Sequence, residues 1–179
     1  MVCSLDGFIA KPDNTVDWMH TTDNYDKGIT LTDDYITEFL ESIDCYVMGS
    51  KTYEHALNLG WPYGDKPVYV LTQKDRIPDK ESVSFVKEDL HKWVSEYLRS
   101  HYQNIWMVGG AKLTKEFIQQ QLADEIVISI MPVLLGKGTL FFDYVGVEQK
   151  LHLQDVSAYT TGMVEMTYEV LHQGFQQGN

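Results

Sequence analysis

Tyr46-Val47-Met48-Gly49-Ser50-Lys51-Thr52-Tyr53 and, sixty residues further on, Ile105-Trp106-Met107-Val108-Gly109-Gly110-Ala111-Lys112-Leu113 decide the fold class. In both stretches an apolar run ends at glycine and a helix-compatible segment follows at once. Strands that turn directly into helices, repeated along a chain, mark an α/β architecture. The start of a helix leaves backbone N–H groups unpaired and carries roughly half a positive charge, which suits a phosphate, and glycine lets that phosphate come close. Two such junctions point to a ligand with two separated anionic groups, as in a dinucleotide. The plainer reading is that glycine ends strands in any α/β domain, and for each junction taken alone the two readings stand side by side.

Working outward, Met1–Ala10 reads as a strand and its turn, and Lys11–Thr30 as a polar connection without periodicity, a length that is usually functional. Ile36, Phe39, Leu40 and Ile43 give an i, i+3, i+4, i+7 helical face. Strands are expected at Cys45–Met48, Pro67–Leu71, Val83–Val86, Ile105–Val108 and Glu125–Pro132. Helices are expected over Lys51–Leu57, around Leu90, Trp93, Val94, Tyr97 and Leu98, and around Leu113, Phe117 and Ile118. Leu151–Ser157 and Met163–Leu171 then read as a hairpin turning at Thr160-Thr161-Gly162. Val164, Met166, Tyr168 and Val170 alternate with Glu165, Thr167 and Glu169, which predicts one buried and one wet face. The sum is a mostly parallel sheet with helices on its faces and an antiparallel C-terminal edge, in one domain over 1–172. Residues 173–179 read as a disordered tail.

At 179 residues the chain can bury about 70% of its unfolded surface in a single domain. No run of 18 apolar residues and no signal-peptide pattern occurs, so no membrane partner is expected. The two cysteines, Cys3 and Cys45, fit a reducing, cytoplasmic setting better than a disulfide scaffold. A net charge of −12 repels nucleic acid and makes any cluster of lysines conspicuous.

Asp33 and Asp34 open the first predicted helix, with Thr32 as N-cap. Acids there favour the helix dipole, and that alone would explain them. Asp33, however, shares a face with Ile36 and Leu40, where an apolar surround would raise its pKa and let it hold a proton near neutrality; Asp34 points with Thr37 and Glu38 to water. Lys51 and Thr52 after Gly49, and Thr72, Gln73 and Lys74 at the next strand end, would lie on one edge of a parallel sheet. There they suit a ribose 2′-phosphate and hence NADPH over NADH; exposed lysines at loop starts are also commonplace. Gly109-Gly110 completes neither a dinucleotide fingerprint nor a Walker loop. Gly136-Lys137-Gly138, after the Glu125–Pro132 strand, could bind an anion but reads first as a simple turn. Ser4-Leu5-Asp6-Gly7 is a turn signal first, with Asp6 a ligand contact second. Trp18 and Trp61-Pro62-Tyr63 admit two readings, a lid over a flat ring or loop anchors. The six histidines lack ligand spacing, so no metal site is expected, and no G-x-S-x-G elbow supports a hydrolase.

Four segments in order, Ser4-Leu5-Asp6-Gly7-Phe8-Ile9-Ala10, Met48-Gly49-Ser50-Lys51-Thr52-Tyr53-Glu54, Val108-Gly109-Gly110-Ala111, and Leu122–Glu125 running on to Pro132–Gly136, resemble the dihydrofolate reductase-like superfamily. The branch they resemble is that of the riboflavin-biosynthesis reductase domain and its stand-alone relatives. The resemblance implies a dihydrofolate reductase-like three-layer α/β sandwich, a homodimer, and an NADPH-dependent reductase acting on a C=N or C=O bond of a small pteridine- or pyrimidine-like substrate. It implies that Gly49, Ser50, Lys51, Thr52, Thr72, Gln73 and Lys74 hold the adenosine 2′-phosphate. Val108, Gly109, Gly110, Ala111, Lys112 and Leu113 would face the pyrophosphate, with Asp6, Trp18 and Asp33 toward substrate. Asp33 stands sixteen residues before Gly49, the spacing of the substrate-binding acid of dihydrofolate reductases. Ser50 replaces the arginine common in the family's GRxTY segment, leaving Lys51 to supply charge, and Phe8 replaces another. The competing expectation is a non-catalytic nucleotide-binding or interaction module that keeps the fold.

Overall fold

The computed structural model describes residues 1–172, so the expectation of a disordered tail lies outside the described residues. The stretch read as one domain gathers its contacts into two compact units: Met1–Thr32 together with the chain from Lys115 onward, and Asp33–Thr114.

Within Asp33–Thr114, α1 (Asp33–Ser42) leads to β3 (Cys45–Gly49), α2 (Ser50–Asn58), β4 (Val68–Leu71) and β5 (Val83–Val86); β1 (Val2–Ser4) and β2 (Phe8–Ala10) belong to the other unit. A helical run then joins α3 (Leu90–Lys92), a π-helical stretch Trp93–Leu98 and α4 (Arg99–His101) before β6 (Ile105–Gly109). The strands form one parallel sheet in the order β5-β4-β3-β6. Cys45, Tyr46, Val47 and Met48 are all buried, the continuous apolar run expected of a central parallel strand covered on both faces. Tyr46, Met48, Val68, Val70 and Val83 form the core with Tyr53 of α2. Trp61 and Tyr63 pack against that core, the Trp61 ring 5.9 Å edge-on from Tyr53 and 5.3 Å from Tyr63, and Trp61 Nε1 donates to the Gly64 carbonyl. These two aromatics are loop anchors.

The other unit holds β1 (Val2–Ser4), β7 (Glu125–Met131), β9 (Lys150–Ala158) and β10 (Val164–Leu171) in the order β1-β7-β10-β9. The pair β2 (Phe8–Ala10) and β8 (Thr139–Leu140) stands apart from it. β1 runs parallel to β7, while β10 runs antiparallel to both its neighbours, β7 and β9. The β9–β10 hairpin turns where expected, with Gly162 at φ +75° and Tyr159 N–H donating to Met163 O at 2.8 Å. The connection from Lys11 to Thr30 is not structureless. It is stitched to that hairpin by Tyr25 N–H to Thr160 O (2.8 Å), Ile29 N–H to Ala158 O (2.9 Å) and Thr160 N–H to Ile29 O (2.9 Å).

Two expectations need correction. Val170 alone of the β10 alternation is buried; Val164, Met166 and Tyr168 keep part of their surface in solvent. No residue of α1 is buried either, and Tyr35, Ile36 and Phe39 are exposed, so the apolar surround proposed for Asp33 is not built. α1 is instead fixed at its C-terminal end. Lys66 Nζ donates to the carbonyls of Leu40 (2.7 Å), Glu41 (2.8 Å) and Ile43 (2.5 Å), a cation placed where helix carbonyls are unpaired. Both cysteines are free and buried, Cys3 in β1 and Cys45 in β3; burial raises both thiols, Cys45 to about 12.

Candidate functional site

The parallel register places the two glycine junctions side by side. Gly49 pairs with Leu71 and Met48 with Gly109, so Gly49-Ser50, Thr72–Lys74 and Gly109-Gly110 all leave the sheet at its carboxyl edge, where open α/β sheets bind ligands. Gly49 caps α2 in an extended conformation (φ −82°, ψ 160°), with no side-chain cap bond to the first-turn N–H groups among the described residues. A ligand anion can therefore take them. A Cβ on Gly110 would lie 3.3 Å from Thr52 Oγ1, a tight contact, and Gly109 has φ +123°, a conformation that favours glycine, so the second junction lies close against the first.

Contacts invisible in the local sequence tie the segment after Lys74 to α2, the helix that carries Lys51. Tyr53 Oη donates to Asp79 Oδ2 at 2.8 Å, and Arg76 pairs with Glu54, so the segment after Thr72–Lys74 is tied twice to α2. Thr72 Oγ1 accepts from Lys74 N–H at 3.2 Å and shapes the turn. Arg76 is thus matched by Glu54 and Lys87 by Asp75. Lys51 and Lys74 are exposed and form no ion pair among the described residues. In a chain of net charge −12, two ammonium groups without an ion-pair partner among the described residues are the chemistry that an anion at this strand edge would need. The residues present fit a phosphorylated nucleotide cofactor. Tyr53 and Leu113 are buried structural members of the motif, so Leu113 can offer a ligand only its backbone. Val108 and Ala111 are half-buried, and Gln73 and Lys112 exposed.

The residues expected toward substrate are distributed differently. Asp33, exposed, opens α1. Asp6 and Trp18 belong to the other unit. The Ser4–Gly7 turn forms as read, with Gly7 at φ +82° donating to Ser4 O, but the Asp6 side chain is a clamp. It accepts from Ser4 Oγ (2.6 Å), Leu135 N–H (3.1 Å) and Gly136 N–H (2.7 Å), which joins the first and last of the four motif segments. The Ser4 hydroxyl, followed by the two backbone N–H groups, lowers the Asp6 carboxyl to about 2. Both carboxylate oxygens are engaged inside the chain, so the Asp6 side chain acts as a loop staple. Trp18, in a short turn at Asp17–Met19, is 8% exposed and its Nε1–H has no partner among the described residues. A buried donor left unpaired costs about 1–3 kcal/mol unless a ligand or water takes it.

The class of protein follows from these strands and from solved folds: the chain has the dihydrofolate reductase-like α/β fold. A candidate riboflavin biosynthesis protein from Shewanella sp. PV-4 superposes with a TM-score of 0.82 at 25% identity, over 96% of this chain and 97% of that one. The fold recurs in the diaminohydroxyphosphoribosylaminopyrimidine deaminase/5-amino-6-(5-phosphoribosylamino)uracil reductase of Thermotoga maritima. There the TM-score is 0.64 and identity 16%, over 95% of this chain and 55% of that protein. More particularly, the family described as RibD C-terminal domain matches residues 1–164, and this chain belongs to it. The uncharacterized protein YwjB of Bacillus subtilis (strain 168) is 33% identical over 158 residues, covering 87% of each chain.

Proposed function

We propose that this protein is an NADPH-dependent reductase that acts on a C=N or C=O bond of a small pteridine- or pyrimidine-like substrate. The observation that carries the reading is the shared strand edge, where unmatched Lys51 and Lys74 flank the uncapped start of α2. Lys51, Lys74 and the Thr52 hydroxyl would hold the 2′-phosphate. The N–H groups at Gly110 and Ala111, with no Cβ in the way at Gly110, would take the pyrophosphate. When bound, NADPH supplies the hydride. The chain's own tasks are to orient the acceptor, keep water away and hold a proton, and positioning alone contributes several kcal/mol to such reactions. Asp33 is assigned to holding the substrate's proton at a carboxylate oxygen, and Trp18 Nε1–H to donating toward substrate; each assignment rests on its own unit. The uracil reductase named for the Thermotoga maritima relative supports a pyrimidine ring, and Phe8 in place of an arginine favours a substrate without a phosphate.

A second reading, a nucleotide-binding module without turnover, is favoured by the exposure of Asp33. Fluorescence titration with NADPH and NADH tests the shared part. The wild type is expected to prefer NADPH, and Lys51→Ala and Lys74→Ala each to weaken NADPH about tenfold, as for loss of one charge-assisted hydrogen bond, while leaving NADH binding nearly unchanged. Equal binding of the two nucleotides, or unaltered NADPH affinity in the double variant, would refute the site. NADPH bound but never oxidised over a panel of pterins and pyrimidines would decide for the second reading.

A further inference from the structure

We infer that Lys66 is a positioning residue for Asp33: it grips α1 by its last turn and thereby sets where the carboxylate at the other end of the helix stands. The inference rests on the reading of Asp33 as the group that holds the substrate's proton. Asp33 is exposed, and among the described residues its carboxylate has neither a hydrogen bond nor an ion pair. No residue of α1 is buried. A helix without a buried face does not owe its place to core packing, so a few specific contacts decide it.

The last turn of α1 gathers such contacts. A helix leaves its final carbonyls without partners of their own. Here the Phe39 carbonyl accepts from Ser42 Oγ at 2.7 Å and the Ser42 carbonyl from Asn104 Nδ2 at 3.0 Å, while Leu40, Glu41 and Ile43 are all served by Lys66 Nζ. An ammonium has three N–H donors, and these three carbonyls use them all. Phe39 adds a ring contact, 5.2 Å edge-on to Trp106 of β6. Lys66 is itself held to the sheet, because the carbonyl of the next residue, Pro67, accepts from Tyr46 N–H at 2.9 Å and β4 begins at Val68. The side chain therefore joins the helix end to the rigid strands through charge-assisted hydrogen bonds.

The lever is long. The 10 residues of α1, at about 1.5 Å each, set Asp33 about 15 Å from the clamp, so a tilt of about 5° swings the carboxylate by about 1 Å. A displacement of that size can cost about 100-fold in turnover. The cofactor should not feel it. Lys66 stands before the first residue of β4, whereas Thr72, Gln73 and Lys74 follow its last, so the clamp and the proposed phosphate residues lie at opposite ends of one strand.

Steady-state kinetics on the full chain, with a pterin or pyrimidine that it reduces, tests this. Lys66→Met keeps the apolar stem and removes the ammonium. It is expected to lower kcat about 10- to 100-fold while the Kd for NADPH moves by less than about twofold. Lys66→Gln offers two amide donors without the charge and should act the same way, more weakly. The deciding variant combines Lys66→Met with Asp33→Asn. A residue that acts through Asp33 adds nothing once the carboxylate is gone, so the double variant should turn over as slowly as Asp33→Asn alone. Amide hydrogen exchange in α1 should quicken in Lys66→Met while that of α2 holds. An unchanged kcat, losses that multiply in the double variant, or α1 exchange equal to wild type would each overturn the inference and leave the reductase reading standing. An Asp33→Asn variant as fast as wild type, or a chain that reduces no member of the panel, would instead remove the role of Asp33 and the inference with it.

Discussion

A methyl group added at Gly28 would lie 2.4 Å from the backbone nitrogen of Thr160 and 2.4 Å from the carbonyl carbon of Tyr159. Neither neighbour is a side chain that can swing away. Non-bonded carbon contacts settle near 3.5–4.0 Å, so Gly28→Ala forces the connection and the hairpin apart by about 1 Å. Three backbone hydrogen bonds cross this seam, from Tyr25, Ile29 and Thr160, and all three would lengthen. Overpacking of this kind costs about 1–3 kcal/mol, and partial loss of the bonds moves the expectation to the upper end. For a chain of this size each kcal/mol lowers the melting temperature by about 2–4 °C, so a fall of roughly 5–10 °C is expected in differential scanning calorimetry. The damage should be local. Proteolysis should first cut between Lys11 and Thr30, and NADPH affinity should hold, because the proposed phosphate residues belong to the other unit. A melting temperature within 1 °C of wild type would refute the seam as a structural element.

Other perturbations separate staple from ligand. Trp18→Phe keeps an aromatic ring at the site, though a smaller one, and removes the unpaired N–H; it should raise the substrate KM with NADPH binding unchanged and a modest loss of melting temperature from the smaller ring, whereas a purely structural Trp18 would leave KM unmoved. Asp33→Asn should lower turnover at constant NADPH affinity, and an unchanged rate would remove Asp33 from the mechanism. Asp6 gives a pH signature. Its folded-state pKa lies below its unfolded value, so its contribution to stability is complete above about pH 4 and disappears as pH falls through about 2. Denaturation midpoints of wild type and Asp6→Asn should therefore differ at pH 5 and converge toward pH 2. A gap independent of pH would exclude the charged clamp.

The strand-to-helix junctions were legible because their signal is local: an apolar run, a glycine and a helix start within nine residues. The register that sets Gly49 beside Leu71 and Met48 beside Gly109 follows from parallel pairing, and the common strand edge could be anticipated from it. What joins distant segments was not legible. Asp6 reads as a turn residue until its partners Leu135 and Gly136 arrive from 129 and 130 residues away. The ties from α2 to Asp79 and Arg76 involve side-chain reach that periodicity does not encode. The α1 pattern of Ile36, Phe39 and Leu40 correctly marked a helix. Periodicity fixes which residues share a side, though, and says nothing of whether that side is covered. The β10 alternation failed in the same manner: it found the apolar face and overstated its burial.

Each unit also carries its own silent thiol. Cys3 lies in one and Cys45 in the other, both free, buried and held as the protonated, unreactive form well above neutral pH. An alkylating reagent can reach either sulfur only when the strand around it opens. The two labelling rates, read separately by mass spectrometry, then act as independent clocks for the opening of β1 and of β3. The unmodified chain thus contains the probes needed to learn whether its two contact clusters come apart together or one at a time.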